Sequence, residues 1–240
     1  MNADGIAILA HLNTVANERQ RRRADGALDE RVRAVKRYQH ARFARTYADL
    51  LAQPRFTRAA QFFLDDLYGP KDFTERDAQF ARIVPGLVRL FPNEIVGTVR
   101  SLGELHALSE TLDSAVAAQL PGPDIDARLY VQAWQAVGQP TARAEQIALM
   151  LAVGSALDRY TRNPMLRHSL RLMRGPARAA GLAALQSFLE SGFDTFREMR
   201  GAAEFLETIA SRERAMAAAL FAADPAALTS ELSAALGQLP

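Results

Sequence analysis

Apolar residues recur every three to four positions along almost the whole chain, and this spacing places them on one face of an α-helix. The alternation of β-branched and polar residues that marks a strand never lasts four residues. In the clearest segment Leu182, Leu185, Leu189, Phe193 and Phe196 form one apolar stripe. The pattern predicts an all-α protein, a multi-helix bundle of about ten helices with mostly antiparallel neighbours.

Proline and glycine divide this pattern into separate helices. We expect one helix over residues 28–52 and another over residues 176–199. A further helix begins near Thr74, where Thr74 and Asp77 resemble a capping box. Pro85 and the glycine after it predict a kink or a pause in that helix, because proline removes a backbone donor and clashes with the preceding turn.

The length and composition bound the domain organisation. With 240 residues, 49% of them hydrophobic, the chain can bury a substantial core as one large domain or as two small ones. The sequence Pro-Gly-Pro-Asp at positions 121–124 is the strongest break in the pattern and lies at the midpoint of the chain. We interpret residues 1–240 as a single all-α domain with a candidate subdomain boundary at this break.

Cysteine is absent from the sequence. Its absence excludes disulfides, thiolate zinc sites, iron–sulfur clusters and cysteine nucleophiles, and it favours the reducing cytoplasm. The apolar run at residues 6–12 precedes the nearest arginines, whereas a secretory signal has its basic residues first. No window approaches the roughly 20 apolar residues that cross a bilayer. We therefore expect a soluble cytoplasmic protein that does not enter a membrane.

The segment FFLDDLYGPKDF at residues 62–73 sets two aspartates in an apolar helix end and then stops the helix with Gly69, which suits a left-handed position after a helix. A carboxylate beside phenylalanines loses hydration, and its pKa rises unless a base or a backbone donor compensates. On a helix Asp65 and Asp66 point about 100° apart, so at most one of them faces inward.

Three interpretations of this segment stay open. The aspartates can be structural, bonding nearby arginines or the start of the helix near Thr74. They can belong to a surface that binds a partner protein helix. They can also orient the polar end of an apolar small molecule lodged among the aromatic residues. The ligand-binding residues of the last hypothesis are Arg58, Phe62, Asp65, Asp66 and Tyr68.

A metal site is the second chemical hypothesis. His106 and Glu110 are four residues apart and therefore share a helical face, and imidazole and carboxylate are both metal ligands. Carboxylate-bridged di-iron bundles use the motif Glu-x-x-His on two helices, and this motif does not occur here. The pair nevertheless gives an alternative function, an iron- or haem-dependent enzyme on a helical scaffold.

Other chemistry has less support in the sequence. There is no Gly-x-Ser-x-Gly elbow and no glycine-rich phosphate loop. Arginines at residues 19–23 and basic residues at 31–37 can track phosphates, which leaves nucleic-acid binding as a lesser alternative. Acidic neighbours dilute this charge, and the first two helices are too long for a helix-turn-helix, so we regard nucleic-acid binding as unfavoured.

Three strings together give a resemblance to a group of proteins: FFLDDLYGPKDF, GLAALQSFLESGFDTFREM at residues 181–199, and FLETIASRE at residues 205–213. The chain resembles a family of uncharacterised bacterial all-helical proteins. The resemblance implies a coherent natural domain, and it carries over no catalytic residue.

The leading hypothesis is a non-enzymatic regulatory or binding module. Its partner would be an apolar small molecule or a partner protein helix, recognised near residues 62–73. We also expect that a homodimer can form through the weakly amphipathic segments 215–222 and 226–236, packed across a two-fold axis.

Overall fold

The computed structural model describes residues 2–67, 69, 71–225 and 235–240, with the backbone alone at Leu67. Within these residues the protein is all-α and has no strand, so the predicted fold class is confirmed. None of the described helices is long and apolar enough to cross a bilayer. The helices are α1 (Ala3–Ala24), α2 (Gly26–Thr46), α3 (Ala48–Ala52), α4 (Thr57–Phe62), α5 (Thr74–Leu90), α6 (Asn93–Ala118), α7 (Ala127–Val137), α8 (Pro140–Thr161), α9 (Pro164–Leu172), α10 (Arg174–Ala179), α11 (Ala183–Glu198) and α12 (Ala203–Ala222).

Two shorter elements complete the described chain. A π-helix, Phe63–Leu67, continues directly from α4 and carries the aspartate pair. A 3₁₀ helix, Leu236–Gln238, returns to the bundle, where Leu236 and Leu239 are buried. Most of the helix expected at 226–236 lies outside the described residues.

Two predicted helices are divided in the structure, and the pause expected at Pro85 is absent. Helix α5 runs through Pro85 without a break, because Val84 and Leu87 are buried against α1 and α6 and this packing outweighs the local cost of proline. The helix expected over 176–199 is divided at Gly181, whose φ of +67° ends the helical path between α10 and α11. The helix expected over 28–52 is divided at Tyr47, which lies between α2 and α3.

Gly69 lies where two stretches of backbone approach closely. A Cβ atom at Gly69 would lie 2.3 Å from the carbonyl oxygen of Asp65. This contact leaves no room for a side chain at position 69 and requires glycine there. The predicted left-handed conformation of Gly69 stays a prediction.

The apolar core consists of three clusters. The N-terminal cluster joins α1, α5 and α6 through Ile8, Leu12, Val84, Leu87 and Val96. The phenylalanine cluster lies around Phe56, Phe63, Phe196 and Phe205, and the tryptophan cluster lies around Leu28, Val35, Tyr130, Trp134 and Met216. The tryptophan cluster contains residues from both sides of positions 121–124, so the apolar packing continues across the expected boundary.

Candidate functional site

A layer of charged side chains separates the apolar clusters, and we call it the polar layer. On α12, Glu213 lies between Ile209 of the phenylalanine cluster and Met216 of the tryptophan cluster. On α1 the buried stripe of Ile8, Leu12 and Val15 ends at buried Arg22. The members come from α1, α2, α5, α6, α8 and α12: Arg19, Arg22, Lys36, Arg42, Asp77, His106, Glu110, Asp113, Arg143 and Glu213.

Glu110 is the best-bonded acid of this layer. Its carboxylate accepts from Nη1 of Arg22 at 2.5 Å and from Nζ of Lys36 at 2.7 Å. Arg22 is buried as well, and it also donates to the Glu110 carbonyl and to Oγ of Ser114. Burial alone would raise the pKa of Glu110, but the charges of Lys36 and Arg22 outweigh it and lower the pKa to about 2. Glu110 is therefore an ionised structural centre.

A second acid, Asp77, anchors α5 to the layer. Its Oδ2 lies 2.8 Å from Nη2 of Arg19 and 2.8 Å from Nε2 of His106, and its Oδ1 accepts from Nε of Arg76. Burial opposes the charge, yet the hydrogen bond with His106 and the nearby arginines lower the pKa of Asp77 to about 2. The capping-box prediction for Asp77 was therefore wrong, and the first turn of α5 is bonded by Asp72 instead.

The third ionic centre joins α2 to α12. Nη1 of Arg42 donates to Glu213 at 2.5 Å, and the Tyr47 hydroxyl donates to the same oxygen at 2.6 Å. Burial and the charge of Glu213 both raise the pKa of Tyr47, so the hydroxyl keeps its proton. These contacts satisfy Glu213 within the protein.

The polar layer surrounds a cavity of about 70 Å³. Its walls come from α2, α6, α7, α8 and α12 and from residues 69 and 73 before α5. The charged residues of the wall are Lys36, Arg42, Glu110, Asp113, Arg143 and Glu213. The larger apolar residues of the wall are Phe43, Phe73, Trp134, Ile147, Met150 and Met216.

Arg143 differs from the other cations of the wall because it has no carboxylate partner among the described residues. It is 4% exposed, its Nη1 donates to Oε1 of Gln146 at 3.2 Å, and its Cζ lies 3.8 Å from the centre of the Trp134 ring. In the described part of the chain, its buried Nε and Nη2 have no hydrogen-bond partner. Burial lowers the pKa of Arg143, although Tyr130 and Asp113 oppose this effect.

Asp113 differs in the same way from the other acids. Its Oδ1 accepts from Nε2 of Gln39 at 3.1 Å, and it forms no ion pair among the described residues. Burial raises its pKa, although Lys36 lowers it in part. Burial thus shifts the pKa of Asp113 upward, whereas the neighbouring cations shift the pKa of Glu110, one helical turn earlier, downward.

The residues predicted to bind a ligand do not converge on this cavity. Arg58 pairs with Glu198 at the surface, and Phe62 is buried with its ring 5.7 Å from that of Phe188. Oδ1 of Asp65 lies 3.3 Å from Nε2 of His40, and Oδ1 of Asp66 accepts from Nζ of Lys71 at 3.2 Å. Tyr68, the remaining member, is outside the described residues.

The predicted segment nevertheless contributes to the cavity wall through Gly69 and Phe73. A smaller, wholly apolar cavity of about 20 Å³ lies beside Phe63 and Leu64, and it shares Phe43 and Met150 with the central cavity. The role of residues 62–73 in a binding site therefore stays a prediction. The residues of this segment that line the central cavity, Gly69 and Phe73, were not among the predicted ligand-binding residues.

The predicted metal pair, His106 and Glu110, lines the same cavity, but each residue already has protein partners. His106 contacts Asp77, and Glu110 contacts Arg22 and Lys36. In the described part of the chain no group of three or more His, Asp or Glu side chains is placed to hold a metal ion. An iron or haem function stays a prediction from the sequence.

The basic residues near the N-terminus are also used inside the bundle. Arg19, Arg22 and Lys36 pair with Asp77 and Glu110 and are mostly buried. This removes three of the cations that the sequence suggested for a phosphate-binding surface.

The fold and the site together define an all-α bundle with a charged layer around an internal cavity. The chain belongs to the family described as Domain of unknown function (DUF8198), whose model matches residues 18–227. That range includes every residue of the polar layer. No curated protein and no solved structure shows significant similarity to the chain.

Most of the polar layer was not predicted from the sequence, although the spacing of its residues along the helices indicates that they face the interior. Leu28, Val32, Val35, Gln39 and Arg42 continue one stripe at spacings of four and three residues. A polar residue that continues an apolar stripe faces the same interior as the residues before it. The same spacing joins Val15 of α1 to Arg19 and Arg22.

Proposed function

We propose that this protein is a non-enzymatic binding module that holds a small polar molecule in the central cavity. The observation that carries the proposal is a cavity of about 70 Å³ inside a layer of charged side chains. Protein interiors are normally close-packed, and a single water needs only about 10–15 Å³ of such space. A cavity of this size and polarity is suited to a ligand several times larger than one water.

The position of the cavity supports a regulatory role. A bound molecule would contact α2, α6, α7, α8 and α12 at once, and these helices come from both halves of the chain. Ligand binding to the folded state alone stabilises that state by mass action. Occupancy of the cavity would therefore change the stability of the whole bundle, which is a means of reporting ligand concentration to a partner.

Native mass spectrometry of freshly purified protein tests the proposal, with a variant that fills the cavity. Ala217 lines the cavity, whereas Ala218 on the same helix is exposed. We expect a mass above that of the polypeptide for the wild type and for Ala218→Leu, and the polypeptide mass alone for Ala217→Leu. Circular dichroism checks that both variants are folded.

A ligand lost during purification is covered by a second measurement. The small-molecule fraction of a cell extract should raise the Tm of the wild type and of Ala218→Leu, and should leave Ala217→Leu unchanged. A wild-type protein that has the bare mass and gains no stability from the extract would contradict the proposed function. Equal responses from the two variants would place the binding site elsewhere.

A further inference from the structure

A second concave site lies at the surface of the bundle, and it shares no described wall residue with the central cavity. It is a cleft of about 450 Å³ formed by the end of α8, by α9 and by the last turn of α11. Its volume is in the range of small-molecule sites. We call it the arginine cleft, because its wall contains Arg162, Arg167, Arg171 and Arg197, together with His168.

Three helices bring these basic side chains together. Arg162 directly follows α8, and Arg197 lies in the last turn of α11. On α9, Arg167 and Arg171 are one turn apart and His168 follows Arg167, so the three side chains span about 100° of the helix circumference. The concentration of positive charge in the cleft is therefore a property of the folded protein.

Two of the cleft arginines contact acids that lie outside the described cleft wall. Nη2 of Arg162 donates to Oδ2 of Asp158 at 2.5 Å, and Nε of Arg167 donates to Oδ1 of Asp194 at 3.1 Å. Each contact uses one nitrogen of a guanidinium group that has five N–H donors. The acids therefore restrain these two arginines and leave donors on both of them for a ligand.

The other two arginines of the cleft are accessible and unpaired. In the described part of the chain, Arg171 and Arg197 form no hydrogen bond and no ion pair, and both are exposed. No acidic residue belongs to the described cleft wall. Four arginines with two paired acids, Asp158 and Asp194, leave an excess of two positive charges. A concave wall with one sign of charge attracts ligands of the opposite sign.

We propose that the arginine cleft binds a phosphate monoester group. A phosphate monoester has almost two negative charges at neutral pH and three strong acceptor oxygens. Its charge matches the excess of the cleft, and its oxygens match the N–H groups of Arg171 and Arg197. A carboxylate or a sulfate monoester has a single charge and would leave half of the excess unbalanced. This site is separate from the central cavity, so it does not depend on the proposed function.

The phosphate can belong to a soluble ester or to the headgroup of a lipid. Met165 and Leu172 of α9 are 76% and 65% exposed, although both are large apolar side chains. Apolar residues beside basic ones on an exposed helix can enter the boundary between headgroups and acyl chains. These two residues therefore distinguish the sources, because a soluble ester does not require them.

A matched pair of anions tests the ligand class. We would titrate the protein by calorimetry with phenyl phosphate and with phenyl sulfate, which has a similar shape and one negative charge fewer. Phenyl phosphate should bind about tenfold or more tightly, because its second charge can pair with the second unpaired arginine. Its affinity should fall when the salt concentration is raised from about 0.05 M to about 0.5 M, since salt screens exposed charges.

Two double variants assign the binding to the cleft. Arg171→Gln with Arg197→Gln should weaken the binding of phenyl phosphate at least tenfold and remove the preference over phenyl sulfate. Both residues are exposed and unpaired in the described structure, so this variant should keep the wild-type circular-dichroism spectrum. The control is Arg89→Gln with Arg128→Gln, which removes two exposed arginines outside the cleft and makes the same change in net charge. It should bind as the wild type does.

Co-sedimentation with lipid vesicles distinguishes the two sources of the phosphate. Phosphatidic acid has a phosphate monoester headgroup, and we would add it to phosphatidylcholine vesicles. Vesicle binding that is lost in Met165→Ser with Leu172→Ser, while phenyl phosphate still binds, would support the proposal with a lipid as the source. Binding of phenyl phosphate without binding of these vesicles would support it with a soluble ester as the source.

Several outcomes would overturn the proposal. Equal affinities for phenyl phosphate and phenyl sulfate would show that the second charge is not recognised. Equal losses from the two double variants would show that binding follows net charge and not the cleft. A wild type that binds neither phenyl phosphate nor phosphatidic acid vesicles would remove the site altogether. Ala217→Leu, which fills the central cavity, should bind phenyl phosphate normally, so the two proposed sites can fail independently.

Discussion

Two acidic pairs of this protein have the same chemistry and opposite surroundings. The Asp65 and Asp66 side chains are 51% and 36% exposed, and among the described residues each has one side-chain partner at more than 3 Å. Glu110 and Asp113 are 3% and 7% exposed and lie in the polar layer. Water can solvate the first pair, whereas only protein groups solvate the second. Two neighbouring acids in the sequence therefore do not by themselves mark a structurally important pair. Burial decides which pair depends on protein partners.

The two acids of the buried pair differ in their partners and in the direction in which their pKa values shift. Glu110 has two cations within hydrogen-bond distance, and its pKa is lowered to about 2, while Asp113 has an amide partner and its pKa is raised by burial. One helical turn therefore separates an acid that is paired with two cations from an acid that forms no ion pair among the described residues. Both acids line the central cavity.

The largest effect should follow Glu110→Gln. The substitution leaves Arg22 and Lys36 buried without their anion, and the loss of one partner of a buried pair is strongly destabilising. We expect the free energy of unfolding to fall by about 3 kcal/mol and the Tm to fall by roughly 6–12 °C. Urea unfolding followed by circular dichroism measures the first, and calorimetry measures the second.

Glu104→Gln on the same helix is the matched control, because Glu104 is only partly buried and forms no ion pair with the described residues. It should change the free energy of unfolding by no more than about 0.5 kcal/mol. If both substitutions lowered the free energy of unfolding equally, the pairing of Arg22 and Lys36 with Glu110 would not be what stabilises the bundle.

Acidification should give the next largest loss of stability. The pKa of Glu110 in the folded state, about 2, lies below its ordinary value of 4.5, and Asp77 is lowered in the same direction. Their stabilisation is thus complete above the ordinary values and is lost as the pH falls toward about 2. For Glu110 alone we expect a loss of about 2 kcal/mol between pH 6 and pH 3.

Urea titrations at several pH values, on the wild type and on Glu110→Gln, measure this loss. The variant should have a flatter profile, because it has no carboxylate at position 110 to protonate. Asp113 acts in the opposite direction: its raised pKa gives a contribution that is present at low pH and is lost as the pH rises through the folded value. A wild type and a variant with parallel profiles would contradict the assignment to Glu110.

The helices could be predicted because apolar spacing is a local property of the sequence. Of the stripe predicted in α11, Leu185, Phe193 and Phe196 are buried as the spacing indicates, whereas Leu189 is 40% exposed. Local signals were less reliable where distant packing decides the outcome. Pro85 lies inside α5 because α1 and α6 bury the residues around it, and no feature near Pro85 contains that information.

The cavity could be predicted only in part. His106 and Glu110 were recognised as neighbours on one helical face, and both line it. Their partners Asp77, Arg22 and Lys36 lie 29, 88 and 74 positions away, and such pairings depend on how α1, α2 and α5 pack onto α6. Arg143 could not be recognised from the sequence, because what distinguishes it is that no described carboxylate pairs with it in the folded protein.

The smallest effect should follow Asp65→Asn, alone or with Asp66→Asn. Both side chains are largely hydrated, and a surface ion pair contributes little, so we expect less than about 0.5 kcal/mol for each substitution. Asp77→Asn on α5 is the contrasting variant, because it removes the charge that faces partly buried Arg19. It should lose at least about 2 kcal/mol in the same urea experiment.

The double variant also tests where the ligand binds. If the molecule lies in the central cavity, Asp65→Asn with Asp66→Asn should retain it in native mass spectra as the wild type does, because neither residue lines the cavity. A folded double variant that has lost the molecule would move the binding site to the segment 62–73. In that case the exposed acidic pair, and not the buried one, would be the functional pair of this protein.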